Sequence, residues 1–242
     1  MFGGSGTLIF NTHYKNLNYN EKNPKVYDLM ESLVTNKWSI DDLRKILDGF
    51  GILDNDSLIG YLELRKQYNL VNKNTILLYG LITSSFSNQI RFNRKGEFNL
   101  PYGKRYFNPQ LQEHLGNFKK FISTTDKSIH LTNLDFEDVV IEPNSFVYLD
   151  PPYLTTNGAS YSENKGWTQD DDNRMFKYLD MLNDKNTKFA MSNTFKNSGK
   201  ENVGLIEWSK NYTVNYLDRN YSNASANKID RSKSIEVLIT NY

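Results

Sequence analysis

The chain of 242 residues contains no cysteine, and that absence removes disulfides, thiolate metal sites and a cysteine nucleophile from consideration. Histidine is scarce as well. His13, His114 and His130 are the only three, and their spacing suggests no metal site. No apolar stretch is long enough to span a bilayer and no secretory signal is recognisable, so the expectation is a soluble, cytoplasmic protein without a membrane partner. Neither charge predominates, with 29 Lys plus Arg against 28 Asp plus Glu. A polyanionic partner would have to be met by a local basic patch. Proline is rare at six residues, which makes the adjacent pair Pro151–Pro152 conspicuous.

What is present reads as a mixed α/β chain, long enough to bury a real core as one domain with an insertion or as two small lobes. Met1 to Phe10 is a glycine-rich loop leading into the first turns of a helix. Pro24 suits the first turn of a second helix, and Ser39-Ile40-Asp41-Asp42 is a helix start. Helical periodicity runs from about Lys37 to Asn74, through a buried segment at Ile76–Ile82, and again over Leu111–Phe121. Residues 83–109 alternate polar, basic and aromatic side chains with Gly and Pro, as in a hairpin or extended loop. Ile129–Leu131, Phe146–Leu149, Lys188–Met191 and Ile235–Thr240 read as core strands, with Trp167–Leu182 as a crossover helix. The pattern implies an α/β catalytic domain, residues 1–37 and 125–242, split by a mainly helical insertion over 38–124.

Asp150-Pro151-Pro152-Tyr153 is the most informative segment. It follows the apolar strand Phe146–Leu149, so an acid and an aromatic are held at a strand's carboxyl end, where open α/β sheets place their ligand chemistry. Each proline fixes φ and removes a backbone donor. Methyl transfer to the exocyclic amino group of a base needs such an arrangement. The amino lone pair is delocalised into the ring, and hydrogen bonds to a carboxylate and a backbone carbonyl favour a more nucleophilic nitrogen. Tyr153 would stack on a base drawn out of its helix. Read alone, the four residues also fit an ordinary strand-end turn.

Two other stretches carry chemistry. Phe2-Gly3-Gly4-Ser5-Gly6 lets the backbone approach a ligand closely, and amides at a helix N-terminus favour an anion; alone, it also reads as a flexible tail. Glu21 lies at roughly the distance at which dinucleotide-type folds place an acid on ribose hydroxyls, although a solvated surface carboxylate is the plainer reading. Between Arg91 and Arg105 there are five basic residues and one acid, with Phe92, Phe98 and Tyr102 interleaved. Such a stretch is either a solvated hairpin or a nucleic-acid contact, in which arginine can read guanine bidentately.

Taken together, these motifs resemble the Dam-type DNA adenine-N6 methyltransferases of the D12 class, particularly the phage Dam enzymes. The resemblance covers almost the whole chain and rests on Phe2–Gly6, Tyr19-Asn20-Glu21, Phe86–Asn93, Pro101–Arg105 and Asp150–Tyr153. It implies a Rossmann-like S-adenosylmethionine-dependent sheet with a helical target-recognition insertion and no metal. Asp150, Pro151, Pro152 and Tyr153 would be catalytic. Phe2, Gly3, Gly4, Ser5, Gly6, Glu21, Asp135, Phe136 and Asp150 would hold S-adenosylmethionine. Ser87, Asn88, Gln89, Arg91, Asn93, Pro101, Tyr102, Lys104 and Arg105 would meet double-stranded DNA. GATC is a common target in the family, but Gln89 stands where the phage enzyme has methionine. A cognate restriction endonuclease and a monomeric or weakly dimeric state are the implied partners. The alternatives are an rRNA adenine methyltransferase, where related Pro-Pro-aromatic motifs occur, and a DNA-binding remnant with impaired catalysis. The family's segment before Phe-Gly-Gly, an aromatic and a lysine followed by a first strand, has no counterpart upstream of Phe2. The expectation is therefore weak cofactor binding by residues 1–242.

Overall fold

A computed structural model describes residues 1–54, 56–156, 166–217 and 234–242. Residues 157–165 and 218–233 of the expected catalytic segment lie outside the described residues. The chain divides into two compact units, one holding Gly4–Asn133 and the other joining Met1–Gly3 to the described residues from Leu134 onward. This boundary lies near 133, whereas the expected partition falls at 38 and 124.

In the Gly4–Asn133 unit, α1 (Thr7–Phe10) is a single turn, followed by β1 (Asn16–Asn20), α2 (Pro24–Val34), α3 (Ile40–Gly49), α4 (Leu58–Leu70) and α5 (Thr75–Ser84). After a hairpin-like loop come α6 (Pro109–Thr124) and β2 (Ser128–Thr132), which pairs in parallel with β1. The helix starts follow their capping chemistry. The Asn23 side chain accepts from Lys25 N before Pro24 opens α2, and Ser39 and Asp42 form a reciprocal capping box on α3. Leu43, Leu47, Leu64 and Leu81 are fully buried in the core that α3, α4 and α5 share. β1 was not anticipated. Its sequence Asn-Leu-Asn-Tyr-Asn is rich in a weak strand former, and only the alternate burial of Leu17 and Tyr19 marks it as a strand.

The other unit runs β3 (Phe146–Leu149), α7 (Gln169–Asp184), β4 (Lys188–Asn197), β5 (Lys200–Glu201), α8 (Val203–Ser209), β6 (Thr213–Leu217) and β7 (Ile235–Thr240). Its sheet has the order β3-β4-β7-β6, with β5 beside β4. β3 and β4 are parallel and α7 connects them, as expected of a crossover helix. The pairings of β4 with β7 and of β6 with β7 are antiparallel. α7 begins at Gln169 because Thr168 is its N-cap and forms a capping box with Asp171, which leaves Trp167 outside the helix. The chain is thus mixed α/β, as its periodicity implies. The described strands form two sheets, and the single Rossmann-like sheet of the expectation is not assembled from them.

Candidate active site

Val147 and Leu149 bury one face of β3 in the apolar core around α7 and β4. The Tyr148 hydroxyl bonds to Ser192 Oγ on β4 at 2.7 Å. The strand stops where the prolines remove its donors. Pro151 is buried, while Asp150 beside it is exposed. The Tyr153 hydroxyl donates to Asp150 Oδ1 at 2.9 Å, so the expected acid and aromatic are brought into direct contact. Burial, followed by the charge of Asp150 and the bond to it, holds the Tyr153 phenol far above its ordinary range. The Tyr153 hydroxyl is therefore a neutral donor to the Asp150 side chain at the strand's carboxyl end.

At the glycine loop, Glu21 is 7% exposed and not the solvated carboxylate of the plainer reading. Its Oε2 accepts from Gly4 N at 3.0 Å and its Oε1 from Asn23 N at 2.9 Å. The Tyr19 hydroxyl donates to Gly4 O at 2.8 Å. β1 thus ends in two side chains that grip the loop. Gly4 has φ +50° and no atom within 4 Å of where a Cβ would stand, so the backbone there is open to a ligand. Each Glu21 oxygen keeps a second lone pair suited to a ribose hydroxyl. Ser5 Oγ is bonded to Thr7 Oγ1 at 2.8 Å. The expected helix-terminal anion site is weaker than foreseen, because α1 has only four residues and Gly6 caps it without a side chain.

In the other unit, Phe2 packs against Phe136 at 5.8 Å and Trp167 at 5.6 Å between ring centroids. Phe136 is buried, with the Arg174 guanidinium over its ring at 5.0 Å. Arg174 also pairs with Asp135 Oδ1 at 2.8 Å and with Glu137. Asp135 accepts from Glu137 N as well, which caps the short turn Phe136–Asp138. Asp172 is 1% exposed and accepts from Trp167 Nε1 and Asn202 Nδ2, both at 2.6 Å. Trp167, Asp172 and Arg174 escaped sequence reasoning. The only available signal was an aromatic just before an acidic helix start.

The basic stretch forms a hairpin. Asn93 Oδ1 accepts from Lys95 N and Glu97 N, turning the chain through Gly96, and Phe92 bridges to Phe98 while Ser85 bridges to Tyr102. Phe92 and Phe98 are buried in the helical core. These interleaved aromatics anchor the hairpin in that core. Asn88 is committed locally, with its Nδ2 donating to Ile82 O and Thr83 O at the end of α5 and its Oδ1 accepting from Arg105 at 2.8 Å. Ser87 and Asn88 both have positive φ, at 57° and 51°, a strained turn that these bonds hold in place. Tyr102 donates to Asp56. Arg105, Lys104, Pro101 and Gln89 are exposed. Arg91 donates from Nε to Asn99 Oδ1 and from Nη2 to Asn99 O, both at 2.9 Å.

Among the described residues there is no cluster of three or more His, Cys, Asp or Glu able to hold a metal ion, and no helix is long and apolar enough to cross a membrane. Sequence comparison relates the chain to known proteins. It is 33% identical over 255 residues to the modification methylase StsI of Streptococcus sanguinis, covering all of this chain and 38% of that protein. It is 32% identical over 254 residues to the type II methyltransferase M.FokI of Planomicrobium okeanokoites, again covering all of this chain and 38% of the relative. Similarity to the type II methyltransferase M.MjaIII of Methanocaldococcus jannaschii is 30% over 218 residues, 80% of this chain and 72% of that protein. The chain therefore spans 38% of the length of the first two relatives. Residues 1–233 match a single family throughout, and the chain belongs to the D12 class of N6 adenine-specific DNA methyltransferases.

Proposed function

We propose that this chain transfers a methyl group from S-adenosylmethionine to the N6 amino group of an adenine in a short duplex DNA site. The observation that carries the reading is the Tyr153–Asp150 contact at the end of β3, found in a chain of this family. Asp150 accepts a hydrogen from the adenine amino group, and a carbonyl of the proline segment accepts the other. Both raise the nucleophilicity of N6 in the transition state more than they bind the ground state. Tyr153 offers its ring to the extruded base, and its hydroxyl keeps the carboxylate oriented. Bound S-adenosylmethionine supplies the electrophilic methyl group. The bond from N6 to the methyl carbon would form as the sulfur–carbon bond breaks, its electron pair staying on the departing thioether, while Asp150 and solvent would take up one amino proton.

For the cofactor, the open backbone at Gly4 and the buried acid Glu21 fit a ligand carrying ribose hydroxyls. Ser5 and Gly6 belong to the same proposed set, and the family resemblance adds Phe2, Gly3, Asp135 and Phe136 from the other unit, where Arg174 braces Asp135 and Phe136. In this reading residues 1–37 and 125–242 serve the chemistry on a Rossmann-like frame, and 38–124 read the DNA. Relatives named modification methylases support a restriction–modification setting with a cognate endonuclease. GATC is the first sequence to try.

The test offers radiolabelled S-adenosylmethionine with duplex oligonucleotides and, in parallel, with ribosomal RNA, followed by nucleoside analysis of each. Label in N6-methyladenine of DNA is expected. Label confined to ribosomal RNA would overturn the reading.

A further inference from the structure

Resting on the reading of Arg91 as a base contact, we propose that Asn99 is the positioning residue that aims Arg91 and thereby sets discrimination at the base pair Arg91 reads. The two residues face each other across the hairpin, where Asn99 N donates to Arg91 O at 3.1 Å. Arg91 in turn donates from Nε to Asn99 Oδ1 and from Nη2 to Asn99 O, both at 2.9 Å. A guanidinium carries five N–H donors in one plane. The Nε–Nη2 side of the fork faces Asn99, which leaves the Nη1–Nη2 end for a second planar acceptor pair. The O6 and N7 atoms of guanine are such a pair in the major groove.

Asn99 is itself rigidly placed. The residue before it, Phe98, exchanges two main-chain bonds with Asn69, N to Oδ1 at 2.8 Å and O from Nδ2 at 3.0 Å. The residue after it, Leu100, accepts at its carbonyl from Tyr61 at 2.9 Å and Arg65 at 3.0 Å. A long, flexible side chain is thus ordered before DNA arrives, and the cost of ordering it is not subtracted from recognition. Arg94 and Lys95 sit exposed at the turn, where a cation can follow a phosphate without reading sequence.

The experiment selects duplexes from a randomised pool with the whole protein and scores base preference at each position. A preference ratio is unaffected by a uniform loss of affinity. Arg91→Ala and Asn99→Ala should each lower the preference at the same position, by about tenfold. Asn99→Asp, which keeps the acceptor for Arg91 Nε, should retain most of it, and Asn99→Gln, which moves the acceptor by one methylene, should not. Asn99→Ala added to Arg91→Ala should change nothing further. Unchanged preference in Asn99→Ala beside a selective loss in Arg91→Ala would overturn the inference alone. So would a loss at a different position, or losses that add in full. If Arg91→Ala relaxes no position, the reading of Arg91 fails and takes this inference with it.

Discussion

At Tyr153 one hydroxyl proton separates two roles that a single side chain combines. The ring can stack on a base, while the 2.9 Å bond keeps Asp150 in place. Asp150→Ala removes the group proposed to act on the amino nitrogen and should lower kcat by about a hundredfold or more, with DNA affinity largely unchanged because phosphate contacts dominate it. Tyr153→Phe keeps the ring and should cost about tenfold, the scale of one bond to a charged group; Tyr153→Ala should cost more. Steady-state kinetics with a gel-shift control separates these cases. The phenol is held neutral well above its ordinary value, so activity should show no Tyr153-dependent decline up to about pH 10. An alkaline limb that vanished in Tyr153→Phe would contradict this. Arg105, bonded to Asn88, and Lys95 at the turn should also differ. Loss of Lys95 should weaken all duplexes alike and flatten the salt dependence, whereas loss of Arg105 should change which duplexes are preferred. Competition binding at several salt concentrations tests both.

Among the elements, the hairpin depends on one glycine. Gly103 N donates to Ser84 O at 2.9 Å and Phe86 N to Pro101 O at 3.0 Å, and a Cβ at Gly103 would collide with the Ser85 carbonyl. Gly103→Ala should therefore destabilise the protein by about 1–3 kcal/mol, read as a lower urea midpoint with a steeper loss of DNA binding than of folding. That element was half legible in the sequence. Its turn and charge could be read from composition, because Gly, Pro and Asn punctuate it. The inward burial of Phe92 and Phe98 could not, since an aromatic between basic residues looks the same on a surface as in a core. α2 and α3 announced themselves through local start signals, Pro24 and Ser39, whereas the Thr168 cap that opens α7 at Gln169 was not read. β1 was hidden because its partner β2 lies more than a hundred residues away. Asp172 was obscured for a similar reason, because its partner Asn202 lies 30 residues further along the chain. The strand-end acid and aromatic were legible because four consecutive residues build them.

For the molecule as a whole, near-neutral charge leaves stability more exposed to single buried ions than to general repulsion. Burial raises the Asp172 carboxyl above its ordinary value, although the bonds from Trp167 and Asn202 oppose this. A folded state that holds its proton longer than the unfolded chain binds more protons between the two pKa values, so stability falls as pH rises through that window and is level above it. The window opens near the ordinary aspartate value of about 4. Asp172→Asn should abolish that slope. It should also destabilise at every pH, because its new amide faces the Asn202 amide as donor to donor. Urea melts of both forms between acid and neutral pH decide it, and an unchanged slope in the variant would exclude Asp172 as the source.

The hold that α4 exerts on the hairpin has a bearing on ancestry. The hydrogen bonds that Tyr61, Arg65 and Asn69 make to Phe98 and Leu100 all engage main-chain atoms of those two residues. Every amino acid except proline presents those same atoms, so the clasp is indifferent to the outward-facing side chains the hairpin carries. Residues 91, 94, 95 and 99 can drift, or be exchanged wholesale with those of a relative, while the clasp persists. Under the proposed reading of this hairpin, a lineage could change the DNA word it reads in a few substitutions, without first having to reinvent the scaffold that holds the page.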